Sequence, residues 1–296
     1  MTLNPLAGKR LVVFGCGYVG AAVARWGESA GLAVTALTRN PGTALLLREA
    51  GLNTVVADLA GSAWHEEIPG APEFAVDCVS SGGGGVDAYR QSYVGGMESI
   101  LAWARTKGRI GTLVYTGSTS VYPQGDGVRV DETLPASGRN ERAQLLLETE
   151  ARLAAAGDAV GRYFILRLAG IYGPGRHHLL EQVQSGEVAG RGTHHLNLIH
   201  RDDIVTAITA CLAAPDTVAN EIVNLADDGA ATKAEIVTWL ASTLGIATPT
   251  FTGEPAAGRG MGTPDRVILN GKAKSVLGWS PRYPTFREGY AKLLSR

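Results

Sequence analysis

Apolar and polar positions alternate in blocks along the first half of the chain. Short β-branched runs at Arg10 to Phe14 (RLVVF), Ala33 to Thr38 (AVTALT), Thr54 to Ala57, Phe74 to Val79, Thr112 to Thr116 and Tyr163 to Leu168 (YFILRL) predict six buried strands. The stretches between them, Tyr18 to Ala30, Leu45 to Ala50, Val86 to Lys107 and Arg142 to Ala156, read as helices. Strands alternating with helices imply right-handed crossovers, and so a doubly wound parallel sheet covered on both faces. The fold class expected is α/β.

Past Gly170 the blocks shorten. A Gly/Pro/His stretch (GIYGPGRHH) leads to a helix at Asp202 to Ala213, a strand at Glu221 to Leu225 and a helix at Lys233 to Leu244. A Gly/Pro-rich segment follows from Gly253 to Pro264, then a final helix near Gly271 to Leu277. Two parts are expected: a nucleotide-binding domain over residues 1–170, and a smaller α/β lobe over residues 171–296 that is partly interleaved with it.

Composition narrows the picture. Hydrophobic residues are 45% and charged residues 19% of 296, enough for a substantial core. Net charge is −1, so no uniform basic field attracts nucleic acid or an anionic membrane surface. The KRLVVF start imitates a secretory leader, but glycines interrupt its apolar run at once. No apolar stretch reaches the roughly 18 residues of a membrane span. Cys16, Cys78 and Cys211 lie far apart, which excludes a disulfide framework and any CxxC site. A soluble, cytoplasmic protein is expected. Glycine, at 39 residues, is about twice the ordinary ~7% and points to tight turns or close backbone–ligand approaches.

The strongest motif is Gly15-Cys16-Gly17-Tyr18-Val19-Gly20, a GxGxxG between the first strand and the first helix. Gly15 permits the turn, Gly17 lets the backbone approach a pyrophosphate, and Gly20 packs the helix close to the sheet, with the phosphates at the positive end of the helix dipole. An NAD site normally carries an acidic residue at the end of the second strand for the ribose 2′-hydroxyl. Here the strand ends at Thr38-Arg39, and no Asp or Glu occurs between Glu28 and Glu49. Arg39 suits a 2′-phosphate, so NADP(H) is expected over NAD(H). Asp58-Leu59 is expected to border the adenine, and Ser80-Ser81 to line the nicotinamide side.

These motifs, with YTGSTSVYP at Tyr115 to Pro123, RLAGIYGPGR at Arg167 to Arg176, NLIHRDDIV at Asn197 to Val205, NLAD at Asn224 to Asp227 and LGWSPRYP at Leu277 to Pro284, resemble the extended short-chain dehydrogenase/reductases, or NAD-dependent epimerase/dehydratases. The resemblance runs through nearly the whole chain. It implies a Rossmann domain with a small C-terminal substrate lobe, acting on nucleotide sugars or related carbonyl compounds. It also implies a homodimer through the long helices near Val86 and Arg142. In that family a tyrosine exchanges a proton with the substrate oxygen, helped by a lysine one helical turn later and by an upstream serine. Ser118 matches the serine, and Thr119 adds a second hydroxyl. None of the nine tyrosines has a lysine at i+4. The tyrosine's place falls on Asn140 or Arg142, and the lysine's on Gln144 or Leu146, depending on whether Glu148 or Glu150 matches the family's helix glutamate. The chain therefore resembles atypical members that lack the Tyr–Lys pair.

Among other polar residues, His200 titrates in a useful range and is a candidate for catalysis, set against a helix N-cap reading suggested by Asp202 and Asp203. Tyr172 and Arg176 follow the sixth strand, where ligands bind in open sheets, and are candidate substrate contacts. His177-His178 and His194-His195 lack metal-ligand spacing, so no metal is expected. Two functions compete. One is an NAD(P)-dependent oxidoreductase or epimerase/dehydratase with an altered site, acting on a small carbonyl or hydroxyl compound. The other is a non-catalytic module that binds NADP(H) and reports redox state to a partner. A vestigial cleft serving only dimer contacts is a third possibility.

Overall fold

The computed structural model describes residues 5–254 and 264–295. In chain order it runs β1 (Arg10–Phe14), α1 (Gly20–Ser29), β2 (Ala33–Thr38), α2 (Pro41–Glu49), β3 (Asn53–Val56), β4 (Phe74–Asp77), α3 (Val86–Arg90), α4 (Gly96–Lys107), β5 (Ile110–Ser118), β6 (Val128–Val130), α5 (Glu141–Ala154), β7 (Val160–Leu168) and β8 (Gly170–Tyr172). It continues with α6 (His178–Ser185), β9 (Glu187–Val188), β10 (His195–Leu196), β11 (Leu198–His200), α7 (Arg201–Ala213), β12 (Glu221–Leu225), β13 (Ala231–Thr232), α8 (Lys233–Leu244), β14 (Thr250–Phe251), β15 (Arg266–Ile268), α9 (Gly271–Leu277) and α10 (Phe286–Leu294).

Seven strands form one parallel sheet in the order β12-β7-β5-β4-β1-β2-β3. The chain winds outward both ways from β1, so the order reverses between β1 and β4, the place where such sheets open a ligand crevice. Side-chain alternation splits each strand between two cores. Leu11 and Val13 face Val23 and Ala24 of α1 and Ile204 and Ile208 of α7, whereas Val12 and Phe14 face Met97, Ile100 and Trp103 of α4. Each such buried side chain contributes roughly 1.5–3 kcal/mol of transfer free energy.

All six expected strands stand in the sheet, and Glu221–Leu225 joins it as the edge strand β12, so the chain beyond residue 170 returns to the sheet built by the first half. A separate apolar core joins Leu180, Val183, Ile236, Leu240, Phe286 and Tyr290 in the lobe. Three expectations need correction. The helix expected from Val86 to Lys107 is interrupted by a π-helical segment at Gln91–Gly95. The helix at Gly271–Leu277 is followed by α10, which opens with a Thr285–Glu288 capping box. The lobe also holds α6, closed by left-handed Gly186, and several two- and three-residue strands. Most of the Gly253 to Pro264 segment, residues 255–263, lies outside the described residues. Among the described residues no helix is long and apolar enough to cross a membrane.

Candidate active site

The glycine loop leaves β1 tied to its neighbour, since the amides of Gly15 and Cys16 both donate to the Leu37 carbonyl at 3.0 Å. Gly15 has φ +76°, and a Cβ there would lie 2.6 Å from the Val79 backbone. Gly20 opens α1, and a Cβ would lie 2.4 Å from the Gly15 carbonyl oxygen. At Gly17 a Cβ would meet nothing within 4 Å. Two glycines thus satisfy contacts inside the protein, while the third faces open space at the helix N-terminus. Val19, the N-cap of α1, brings no side-chain hydrogen bond to the first turn. Cys16 is buried, which pushes its thiol up to about 12 and leaves it unreactive.

Arg39 projects from the end of β2 and donates to the Ser81 carbonyl at 2.7 Å, spanning the mouth of the crevice to the loop after β4. Thr38 is buried, and its hydroxyl accepts from Asn40 N. Asp58 is exposed and accepts from Ala60 N and from Gln91 Nε2, both at 3.1 Å, which ties the loop after β3 to the π-helical segment. Leu59 departs from expectation. Its side chain is buried with Trp64 and Met97, so only its backbone is left to border an adenine.

Ser118 ends β5, half-buried, and its Oγ accepts from Ser120 N at 3.1 Å, a role that leaves its own proton to be donated. Thr119 does not add a second hydroxyl to the cleft. It is buried, and its Oγ1 donates to the Leu168 carbonyl at 3.3 Å. Behind this turn lies a network that the motifs alone did not reveal. Arg266, 2% exposed, donates to the carbonyls of Thr119 and Tyr122, both at 2.9 Å. The Tyr122 hydroxyl accepts from Arg167 and donates to Asn224, each at 2.9 Å. Asp77, at the end of β4, accepts from Val79 N, and burial pushes its carboxyl up to about 7.

No proton-transfer pair stands at the start of α5. Asn140 caps the helix through Ala143 N, Arg142 donates to the Gly84 carbonyl, Gln144 donates to the Gly138 carbonyl, and Leu146 is core. Glu148 binds Arg90 and Arg152 near the surface, whereas Glu150 is buried against Arg167.

The lobe candidates divide. His200, 1% exposed, is itself the N-cap of α7, with Nδ1 accepting from Asp202 N at 3.2 Å. Its ring is enclosed by Tyr172 and Tyr283, at centroid distances of 5.3 and 4.1 Å. Tyr172, 3% exposed, packs on Tyr290, and its hydroxyl sits where a Cβ on Gly289 would be 1.8 Å away. Both rings are therefore enclosed by protein, Tyr172 in the lobe core and His200 beside Gly173, where a Cβ would lie 3.3 Å from its Nε2. Arg176 is exposed and stays at the crevice, its guanidinium 5.6 Å from the Tyr18 ring centroid. His177 and His178 both bond Glu181, and His195 bonds Asp265.

Comparison with known proteins identifies relatives in sequence and in fold. Protein YeeZ of Escherichia coli (strain K12) is 32% identical over 203 residues, 68% of each chain. A 3-diazoavenalumate denitrifying reductase of Streptomyces sp. is 28% identical over 220 residues, 67% of this chain and 69% of that one. Among solved structures, UDP-glucuronic acid 4-epimerase of Bacillus cereus, in complex with UDP-glucuronic acid and NAD, shares the fold at TM-score 0.79 and 18% identity, over 96% of this chain and 99% of the other. The model of the NAD dependent epimerase/dehydratase family matches from residue 11 to residue 226, from the first strand of the sheet to the last, and the chain belongs to that family.

Proposed function

We propose that this protein is an NADP(H)-linked oxidoreductase or epimerase with an altered proton-transfer site, acting on a small carbonyl or hydroxyl compound of the sugar-nucleotide kind. The observation that carries this reading is Arg39. A guanidinium held over the crevice mouth at the end of β2, where a carboxylate would select the 2′-hydroxyl, suits a 2′-phosphate. The dinucleotide fits the residues present: Gly17 leaves the space for a pyrophosphate, and the first turn of α1 points its amides there.

When bound, the nicotinamide supplies hydride exchange. The protein's part is to orient and polarise. Ser118 Oγ donates to the substrate oxygen, and its turn is held rigid from behind by Arg266. The proton usually carried by tyrosine comes from solvent, and losing one such group lowers rate by roughly 10² to 10⁴. The Streptomyces relative, a reductase by name, supports a redox role. The UDP-glucuronic acid epimerase with the same fold supports a sugar-nucleotide class. We propose further that the protein works as a homodimer in the cytoplasm.

A second reading, a redox-reporting module without turnover, draws support from the start of α5, where Asn140 and Gln144 are spent on the protein's own backbone. Titration with NADPH and NADH, followed by NADPH oxidation against carbonyl and nucleotide-sugar panels, separates the two. Turnover that disappears in Ser118→Ala supports the enzyme. Tight NADPH binding without turnover across the panels supports the module.

A further inference from the structure

Tyr18, inside the glycine loop, carries two guanidinium groups against its ring: Arg176 at 5.6 Å and Arg201 at 5.1 Å from the centroid. Neither arginine comes from the nucleotide-binding half. Arg176 is delivered by the turn Gly173-Pro174-Gly175-Arg176, closed by backbone hydrogen bonds of 3.0 Å in both directions between Gly173 and Arg176. Arg201 is the first residue of α7. The Tyr18 hydroxyl reaches the same turn, since a Cβ on Gly173 would lie 2.8 Å from it.

Two like charges converging on one ring repel each other. The ring face offsets part of that repulsion, and Arg201 is further balanced by Asp202 at 2.9 Å. An anion between the arginines would remove the rest. The ring that gathers them belongs to the residue just before the N-cap of α1, where helix amides and dipole already favour negative charge.

We propose that Arg176 and Arg201 form a clamp on the cofactor's diphosphate, closing over it from the substrate lobe with Tyr18 as the spacer. The proposal rests on the dinucleotide reading above and deepens it. The cofactor is gripped from both halves of the molecule, and three arginines serve its phosphates: Arg39 the 2′-phosphate, Arg176 and Arg201 the diphosphate. It also reassigns Arg176 from substrate to cofactor.

Calorimetric titration of the full chain with fragments tests this. ADP-ribose carries the diphosphate without a 2′-phosphate, adenosine 2′-monophosphate carries the reverse, and UDP-glucose carries a substrate-type diphosphate. Arg176→Ala and Arg201→Ala are each expected to weaken ADP-ribose about tenfold or more while leaving adenosine 2′-monophosphate within about twofold, and Arg176→Lys to recover part of the loss. Arg39→Ala should do the opposite, so failure at Arg39 alone rejects the 2′-phosphate assignment and spares the clamp. Because Arg201→Ala also removes the Asp202 pair, Arg176→Ala with an unchanged thermal midpoint is the deciding variant. Unchanged ADP-ribose affinity in that variant overturns the clamp. So does a loss confined to UDP-glucose, which gives the arginines to a substrate. Absence of ADP-ribose binding in the wild type removes both the dinucleotide reading and the clamp.

Discussion

The Arg167 guanidinium and the Glu150 carboxylate meet in two hydrogen bonds, of 3.0 and 2.6 Å, with both side chains buried between β7 and α5. Arg167 continues to the Tyr122 hydroxyl, so the pair also supports the turn that carries Ser118. Removing one partner leaves the other charge buried and uncompensated. Glu150→Ala is expected to lower stability by about 3–5 kcal/mol, measured by urea unfolding. A loss below about 1 kcal/mol would show that the site is wetter than its burial implies.

Gly17 and Gly20 separate folding from binding. Gly20→Ala puts a Cβ 2.4 Å from the Gly15 carbonyl and should cost about 3 kcal/mol, read as a lower thermal midpoint. Gly17→Ala meets nothing inside the protein, so its stability should stay within about 0.5 kcal/mol of wild type. Its NADPH affinity should nonetheless fall about tenfold or more, because the added methyl occupies the diphosphate's space. Normal NADPH binding by Gly17→Ala would place the dinucleotide elsewhere.

Arg39→Asp should exchange the cofactor preference. Losing a charge-assisted pair with the 2′-phosphate weakens NADPH by about 10- to 100-fold, while a carboxylate at that place can accept from a 2′-hydroxyl and raise NADH affinity. Fluorescence titration with both coenzymes reads the ratio. An unchanged ratio removes Arg39 from the site.

Burial holds the Asp77 carboxyl up at about 7 and that of Asp227 at about 8. A folded-state value above the unfolded one means the native protein binds more protons between the two. These carboxyls therefore contribute stability that is fully present below about pH 4 and is lost as pH rises through 7 to 8. Carboxylates pulled down by partners, such as Glu288 by Thr285 and Asp265 by the His195 amide, act only at more acid pH. His65, lowered by burial, works in the opposite direction below the ordinary imidazole range, so the informative quantity is a difference. Between pH 5 and pH 8, wild type should lose on the order of 2 kcal/mol more than Asp77→Asn in urea unfolding. Parallel profiles would mean that Asp77 titrates as an ordinary surface carboxylate.

The sheet was readable because parallel strands, covered on both faces, run as short continuous apolar blocks, and β1, β2 and β7 each end at a change of composition that marks the turn. The glycine loop was readable for a related reason: its three glycines answer to backbone geometry, which sequence records directly. Side-chain direction is not recorded that way. Ser118 and Thr119 are adjacent hydroxyls, yet one stays at the cleft while the other bonds Leu168, because the chain leaves β5 at Ser118 and turns into a single 3-10 turn at Thr119–Val121. His200 and Tyr172 sit at the expected places in the chain, but the rings packed around them turn both inward. The π-helical segment at Gln91–Gly95 has no local signature. The Thr285–Glu288 capping box does have one, and α10 could have been recognised from it.

Arg266 reaches back across 147 positions to hold the Thr119 carbonyl. On the ribosome, the strands of the sheet through β7 emerge well before that arginine exists, so the nascent domain can assemble its nucleotide crevice while the serine loop still lacks its anchor. The Ser118 turn therefore gains its support late in synthesis, and a chain stopped short of residue 266 would lack both of the carbonyl contacts that hold it.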